Sequence, residues 1–216
     1  MTLSATRPLL LASGSPRRRE ILTNLRIPLV VGKAEVDESV APEEDPGAYL
    51  ERIVLAKMHA ACKLWKDAES QSLGDTLRAL DPALYAAAVL VADTSVIDGS
   101  TILGKPVDRA EAEAMIARLA GRTHEVWTRF AIGAPQKDAE VLHAETVKTR
   151  VTFRELTSER VRAYVASGEG DDKAGAYAVQ GLGAGLITRI EGSYANVVGL
   201  PACEVVVALE SLGLLP

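Results

Sequence analysis

Short apolar runs separated by amphipathic stretches give the chain its pattern. Leu9 to Ala12, Val89 to Ala92 and Val126 to Ile132 are too short for core helices and suit strands buried in a sheet. Val147, Thr149, Val151 and Phe153 alternate with Lys148, Arg150, Thr152 and Arg154, which predicts a strand with one wet face. Asp98-Gly99, between Ser95-Val96-Ile97 and Thr101-Ile102-Leu103, predicts a hairpin turn. A helix is predicted from about 109 to 120, with Asp108 as N-cap, Glu111 in capping-box position, Ala112, Met115, Ile116 and Leu119 on one face, and Gly121 as the stop. Residues 158 to 167 form a second, with Val161, Tyr164 and Val165 on one side and Gly168 after it, and Leu200-Pro201 opens a last one.

Strands alternate with helices and some neighbours pair antiparallel, so the expected fold is α/β with a mixed sheet. One stretch, residues 66–88, breaks the rhythm: it runs from Asp67 through Gly74 and Asp75 into an Ala/Leu-rich piece with Pro82, and reads as an insertion or flexible connection. There are no internal repeats. A length of 216 residues with 48% hydrophobic and 25% charged content predicts one domain or two tightly joined lobes.

The net charge of −5 argues against nonspecific binding to nucleic acid or an acidic membrane, so any phosphate chemistry must be local. Cys62 and Cys203 stand far apart, without metal-ligand spacing, and read as reduced, packed thiols. The arginines follow the first apolar run instead of preceding it, and no segment reaches the roughly 18 to 20 apolar residues of a membrane span. The expectation is a cytoplasmic protein.

Ser13-Gly14-Ser15-Pro16-Arg17-Arg18-Arg19 follows the first strand and opens a helix whose apolar members include Ile21, Leu22 and Leu25. Small residues admit a ligand to the backbone, Ser15 can cap, and a helix start with guanidiniums attracts phosphate. Val89-Leu90-Val91-Ala92-Asp93-Thr94 puts a carboxylate at the expected end of a buried strand, able to bind a divalent ion or take a proton from water. Gly104-Lys105-Pro106, Asp37-Glu38 and Leu55-Ala56-Lys57 add further charged groups, each ordinary alone. Gly181-Leu182-Gly183-Ala184-Gly185 lacks the spacing of a dinucleotide loop, and His124 is expected to make a structural hydrogen bond at a strand start.

Together these residues resemble the Maf family of septum formation inhibitor-like proteins. The resemblance rests on eight elements in order: Ser13-Gly14-Ser15-Pro16-Arg17-Arg18, Asp37-Glu38, Leu55-Ala56-Lys57, Ala92-Asp93-Thr94, Leu103-Gly104-Lys105-Pro106, Gly121-Arg122-Thr123-His124, Asp172 to Tyr177, and Asn196 to Pro201. It implies a single Maf-like domain over residues 1–216, with an elongated mixed sheet and flanking helices in two lobes around a central cleft, similar to inosine triphosphate pyrophosphatases. It further implies metal-dependent cleavage of a nucleoside triphosphate to monophosphate and pyrophosphate, with Mg²⁺ or Mn²⁺, by a homodimer.

Carried over by position, the resemblance assigns Asp93 as the catalytic carboxylate, Glu38 and Asp93 as metal ligands, and Ser13, Arg18, Lys57 and Lys105 as triphosphate contacts. Arg17, Thr94 and Gln180 match the positions that mark the dTTP/UTP branch; a 7-methyl-GTP pyrophosphatase would be expected to carry Gln after the aspartate and Glu in place of Gln180. A purine-selective pyrophosphatase or a regulator of cell division is the alternative. Three positions depart from the family pattern: Ser95 is usually apolar, Arg129 usually glycine, and Gly170 often proline.

Overall fold

The described residues of this computed structural model are 2–69, 86–135 and 139–216. They build one seven-stranded mixed sheet in the order β2-β1-β3-β5-β6-β7, with β4 paired to β3 off that path. The strands are β1 (Leu9–Ala12), β2 (Leu29–Gly32), β3 (Ala88–Asp98), β4 (Thr101–Leu103), β5 (Thr123–Ala134), β6 (Glu140–Phe153) and β7 (Ile187–Glu191). β1 lies parallel to both β2 and β3, and every other pairing is antiparallel. The helices are α1 (Pro16–Asn24), α2 (Pro46–Glu69), α3 (Arg109–Leu119), α4 (Ser158–Ala166), α5 (Tyr194–Val198) and α6 (Ala202–Ser211). Three-residue and six-residue 3₁₀ turns occupy Ala174–Ala176 and Gly181–Leu186. The expected mixed sheet with flanking helices is therefore present.

β3 organises the molecule. β5 pairs one of its edges from Val89 to Ile97. On the other edge β1 covers Ala88 to Leu90 and β4 covers Val96 to Asp98, so among the described residues no strand pairs Val91 to Ser95 there. Because β1 runs parallel to β3 and β4 antiparallel, the C-terminal ends of both face this gap. The segments leaving them, Ser13 to Ser15 and Gly104 to Lys105, start at its rim.

Side chains alternate across a strand, and the packing follows. Val89 and Val91 pack on one face with Val54, Met58 and Ala61 of α2. Ala88, Leu90 and Ala92 pack on the other with Leu22 of α1 and Val205, Ala208 and Leu209 of α6. Val96, further along that second face, belongs instead to a cluster with α3 and α4. Thr94 lies between these two stretches of the face and belongs to neither cluster.

Several expectations change in detail. Asp93 is in the middle of β3, because pairing to β5 carries the strand on to Ile97 and pairing to β4 to Asp98. Ser15 occupies the N-cap of α1 but its hydroxyl makes no cap hydrogen bond. Leu25 follows that helix and is exposed. Cys62 is buried but Cys203 is exposed, so only the first is a packed thiol. Of the 66–88 stretch, α2 continues to Glu69, Ala86 is buried and Ala88 opens β3; residues 70–85 lie outside the described residues. Asp108 caps α3 by accepting from the Glu111 amide at 2.8 Å, and Gly99 turns the β3–β4 hairpin at φ +65°. Among the described residues no helix is long and apolar enough to cross a membrane.

Candidate active site

The gap in the sheet opens into a cleft of about 800 Å³. Ser13, Arg17, Arg18, Glu38, Lys57, Asp93, Thr94, Lys105 and Gln180 all line it, so every residue that the resemblance assigns to the site is brought to one place, whereas Asp37 and Arg19 are not among the lining residues. Their carriers differ: the end of β1, the first turn of α1, the loop after β2, the middle of α2, the centre of β3, the loop after β4 and the segment between the two 3₁₀ turns.

On the α2 face of the sheet three charges meet. The Lys57 ammonium lies 2.7 Å from Asp93 Oδ1 and 2.7 Å from Glu38 Oε1. The Lys57 and Asp93 side chains keep only 8% and 12% of their exposure, while Glu38 keeps 44%. Burial by itself would raise the Glu38 carboxyl, yet its hydrogen bond and charge attraction to Lys57, with help from Lys105 and Arg18, hold it below the ordinary carboxylate range. Tyr49 OH donates to the Glu38 carbonyl at 3.1 Å and Arg52 Nη2 to the Ser39 carbonyl at 2.9 Å, so the loop bearing Glu38 is tied to α2.

On the opposite face Arg18 is the hub. Its Nε donates to the Gly199 carbonyl at 2.8 Å, Nη1 to Ser13 Oγ at 3.0 Å and Nη2 to Thr94 Oγ1 at 3.0 Å. Burial lowers its basicity, an effect that Asp93 opposes, but a guanidinium stays charged throughout the physiological range. A carboxylate–ammonium cluster and a buried guanidinium thus flank the open edge of one strand, next to a helix start whose side-chain cap is missing. That combination suits a polyphosphate with a bound cation.

Residues 8–212 match the family described as Maf-like protein. The chain belongs to this family. It is 44% identical over 208 residues to a dTTP/UTP pyrophosphatase of Hahella chejuensis, a match covering 96% of this chain and 94% of that one. A dTTP/UTP pyrophosphatase of Myxococcus xanthus is also 44% identical, over 95% of this chain and 93% of its own. A solved nucleoside-triphosphatase / dITP/XTP pyrophosphatase of Mycobacterium abscessus is a distant likeness, at 11% identity and a TM-score of 0.40 over 95% of each chain.

In this Maf-like chain the cleft also holds Lys33, which no motif flagged, and Asp172, which opens a motif element but was given no role. Lys33 lies beside Gly14, with its aliphatic stem against that backbone, and pairs with Glu35 at 2.5 Å. No pattern marks a lysine just beyond a short strand. Asp172 is 4.0 Å from Arg17 and also pairs with Lys173, whose hydrogen bond and charge hold it below the ordinary carboxylate range. Among the described residues Gln180 and Lys105 make no side-chain hydrogen bond within the protein, and both are exposed to the cleft.

The three departures each have a place. Ser95 is buried and lines the cleft two residues beyond Asp93, on the same face. Arg129, directly across β5 from Asp93, turns away to Thr146 Oγ1 at 3.0 Å and Glu51 at 3.6 Å. A side chain at Gly170 would collide with the Ala176 carbonyl, so this loop follows a path that proline could not share. His124, at the start of β5, is hydrogen-bonded to Tyr177 OH at 2.8 Å, and burial pushes its imidazole down to about 4. Its neutral ring is a structural group, as its position predicts.

Proposed function

We propose that this chain hydrolyses dTTP and UTP to the nucleoside monophosphate and pyrophosphate, with a divalent ion held by Glu38 and Asp93. The observation that carries this reading is the meeting of that carboxylate pair with Arg18, Lys57 and Lys105 in one cleft beside the start of α1. Relatives named dTTP/UTP pyrophosphatase, 44% identical over nearly the whole chain, support the choice of substrate.

The residues fit a hard divalent cation. Two carboxylates already converge on one positive centre, the Lys57 ammonium, and oxygen is the donor Mg²⁺ and Mn²⁺ prefer. Among the described residues no group of three or more metal-ligating side chains exists, so substrate phosphates and water would complete the shell, as is usual for Mg²⁺. When bound, the ion supplies charge neutralisation and polarises the phosphoryl oxygens.

The chain's own groups do the rest. A triphosphate carries about four negative charges, and Arg18, Lys57 and Lys105 together with one divalent ion held by the two carboxylates would offset most of them locally, in a protein of net charge −5. Asp93, buried and at hydrogen-bond distance from Lys57, would orient or deprotonate the water that attacks the α-phosphorus. Pyrophosphate leaves against the lysines. Gln180 carries a side-chain amide that donates and accepts in one plane, complementary to the acceptor–donor–acceptor edge shared by thymine and uracil. The enzyme is further proposed to act in the cytoplasm as a homodimer, the form implied by the family resemblance.

The test is release of pyrophosphate from dTTP, UTP, CTP, GTP and 7-methyl-GTP with Mg²⁺ or Mn²⁺. Similar kcat/KM for dTTP and UTP, with the others much slower, is expected. A lead for either guanine nucleotide would overturn the base preference, and absence of pyrophosphate from all five would overturn the reaction.

A further inference from the structure

We infer that Glu169, with Tyr164, is a positioning residue for base selection, because the two hold the loop that carries Gln180; the inference rests on the proposal that Gln180 meets the base. Glu169 is not among the residues that line the cleft, so any effect it has on substrate must pass through others. Gln180 does line the cleft, is exposed there, and among the described residues its side chain makes no hydrogen bond. Its placement therefore depends on the backbone to either side.

That backbone closes into a loop. Ala178 and Gly183 meet at its base, where a Cβ on Gly183 would lie 2.0 Å from the Ala178 carbonyl oxygen, so only glycine fits. One carboxylate gathers the amides. Glu169 Oε1 accepts from the Leu182 N–H at 2.8 Å, and Oε2 accepts from the Gly183 N–H at 2.8 Å and from the Tyr164 hydroxyl at 3.0 Å. The Tyr164 oxygen accepts in turn from the Ala178 N–H at 3.0 Å. Gly181, next to Gln180, turns at φ +65°, and a Cβ there would lie 2.1 Å from Glu169 Oε1, so the turn is pressed directly onto the carboxylate. Both flanks of Gln180 are thus fastened to one pair of side chains.

The pair is itself fixed. Tyr164 is buried in the cluster that joins α3, α4 and β6. Glu169 stands just beyond the end of α4, where its N–H donates to Ser167 Oγ at 3.3 Å and its carbonyl accepts from Lys173 Nζ at 2.5 Å. Hydrogen bonds to a carboxylate are shorter and stronger than those between neutral groups, and two backbone amides on one carboxylate set the direction of the loop as well as its place. A loop held in this way loses less freedom when a base binds. It also keeps the Gln180 amide aligned, and rejection of cytosine, which exchanges one acceptor for a donor, depends on that alignment.

Glu169→Ala removes the carboxylate from the loop and leaves Gln180 and the phosphate-facing residues in the chain. Three measurements separate positioning from a general loss of structure: kcat/KM for dTTP, UTP and CTP, calorimetric binding of inorganic tripolyphosphate, which has no base, and thermal melts to check folding. The lead of dTTP and UTP over CTP is expected to fall about tenfold, the scale of one hydrogen bond to a charged group, with tripolyphosphate affinity unchanged. In a Gln180→Ala background Glu169→Ala should leave the remaining ratio as it is, since no reader is left to position. Should Glu169→Ala fail to fold, Tyr164→Phe removes a single hydroxyl and is read the same way, with a smaller fall. A preserved ratio in the folded variant, a loss shared equally by tripolyphosphate and all three nucleotides, or a further change of ratio in the Gln180→Ala background overturns the inference and leaves the proposed substrate choice standing. A wild-type chain with no lead for dTTP and UTP, or one whose lead survives Gln180→Ala, overturns the base reading and the inference with it.

Discussion

Removing Lys57 should destabilise the protein more than removing the carboxylate it faces, and a second substitution should repair part of the damage. Lys57 has two carboxylate partners at 2.7 Å, whereas the hydrogen bond that Asp93 makes through its side chain goes to Lys57. In Lys57→Met the Asp93 carboxylate, 12% exposed, is left without its cation, and breaking a buried pair from one side costs about 3–5 kcal/mol. The site opens to a cleft, so the lower end, about 3 kcal/mol, is the better figure. In a chain of this size that corresponds to a fall in Tm of about 6–12 °C. Asp93→Asn leaves Lys57 paired with Glu38 and should cost about 1 kcal/mol. Lys57→Met/Asp93→Asn removes the stranded buried charge, so its Tm should lie above that of Lys57→Met alone. The four proteins melted side by side at neutral pH, without added metal, give the order directly. A double variant less stable than Lys57→Met would refute the reasoning, because it would mean that Asp93 is satisfied by something other than Lys57.

Asp93→Asn should eliminate pyrophosphate release while retaining the native circular dichroism spectrum; wild-type turnover by the folded variant would remove Asp93 from the mechanism. Arg18→Ala should weaken every triphosphate alike by about 1.5–3 kcal/mol, whereas Arg17→Ala, at the cleft rim beside Asp172, should change the ranking of bases, and kinetics that make the two interchangeable would end this division of labour. Gln180→Glu should erode the lead of dTTP and UTP, since a carboxylate can only accept where the base carbonyls also accept; an unchanged ranking would exclude Gln180 from base contact. His124 has its folded pKa depressed from 6.5 to about 4 by burial, so its neutral form stabilises the fold above pH 6.5 and that contribution is lost as pH falls toward 4. His124→Gln should flatten the stability curve in that window by up to about 1.4 kcal/mol per pH unit, and an unaltered slope from urea titrations would refute it.

The elements were legible where a single local rule governed them. Asp108, Glu111 and the apolar positions Ala112, Met115, Ile116 and Leu119 define α3, and all four of those apolar residues are buried. The β6 alternation also appears where the pattern puts it, and the hairpin is present one residue on, with Gly99-Ser100 in its turn and Asp98 paired to Thr101. What the pattern missed depends on partners remote in sequence. Asp93 looked like a strand end because the apolar run stops there; the strand continues because β5 pairs it through Ile97, and the polar residues Asp93, Thr94 and Ser95 are tolerated because they face a cleft. Ser15 has the right identity for a cap, but no local rule states whether its hydroxyl turns inward. The hydrogen bonds of Thr94 were equally invisible, since two of its partners lie 76 positions earlier and 105 later. Residue types announced the site, whereas which groups are free for a ligand required the fold.

The position of the site follows from how the sheet is wired. Two short strands share one edge of β3 without meeting, and their C-terminal ends point into the interval between them. An unpaired stretch of central strand would ordinarily leave backbone groups in need of partners. Here it is flanked by two chain exits, Ser13-Gly14-Ser15 and Gly104-Lys105, which bring small residues and positive charge to the same few residues of β3. Strand alternation then sends Asp93 toward α2 and Thr94 toward α1, so adjacent residues serve different charges: one meets the Lys57–Glu38 cluster, the other holds Arg18. Moving either residue by one position would exchange their faces and place a carboxylate beside the guanidinium, cancelling the charge that Arg18 brings to phosphate. The adjacent pair Asp93-Thr94 is therefore a requirement of the strand's period of two, and the separation of anionic and cationic halves across the sheet allows a protein of net charge −5 to offer a local site for a polyanion.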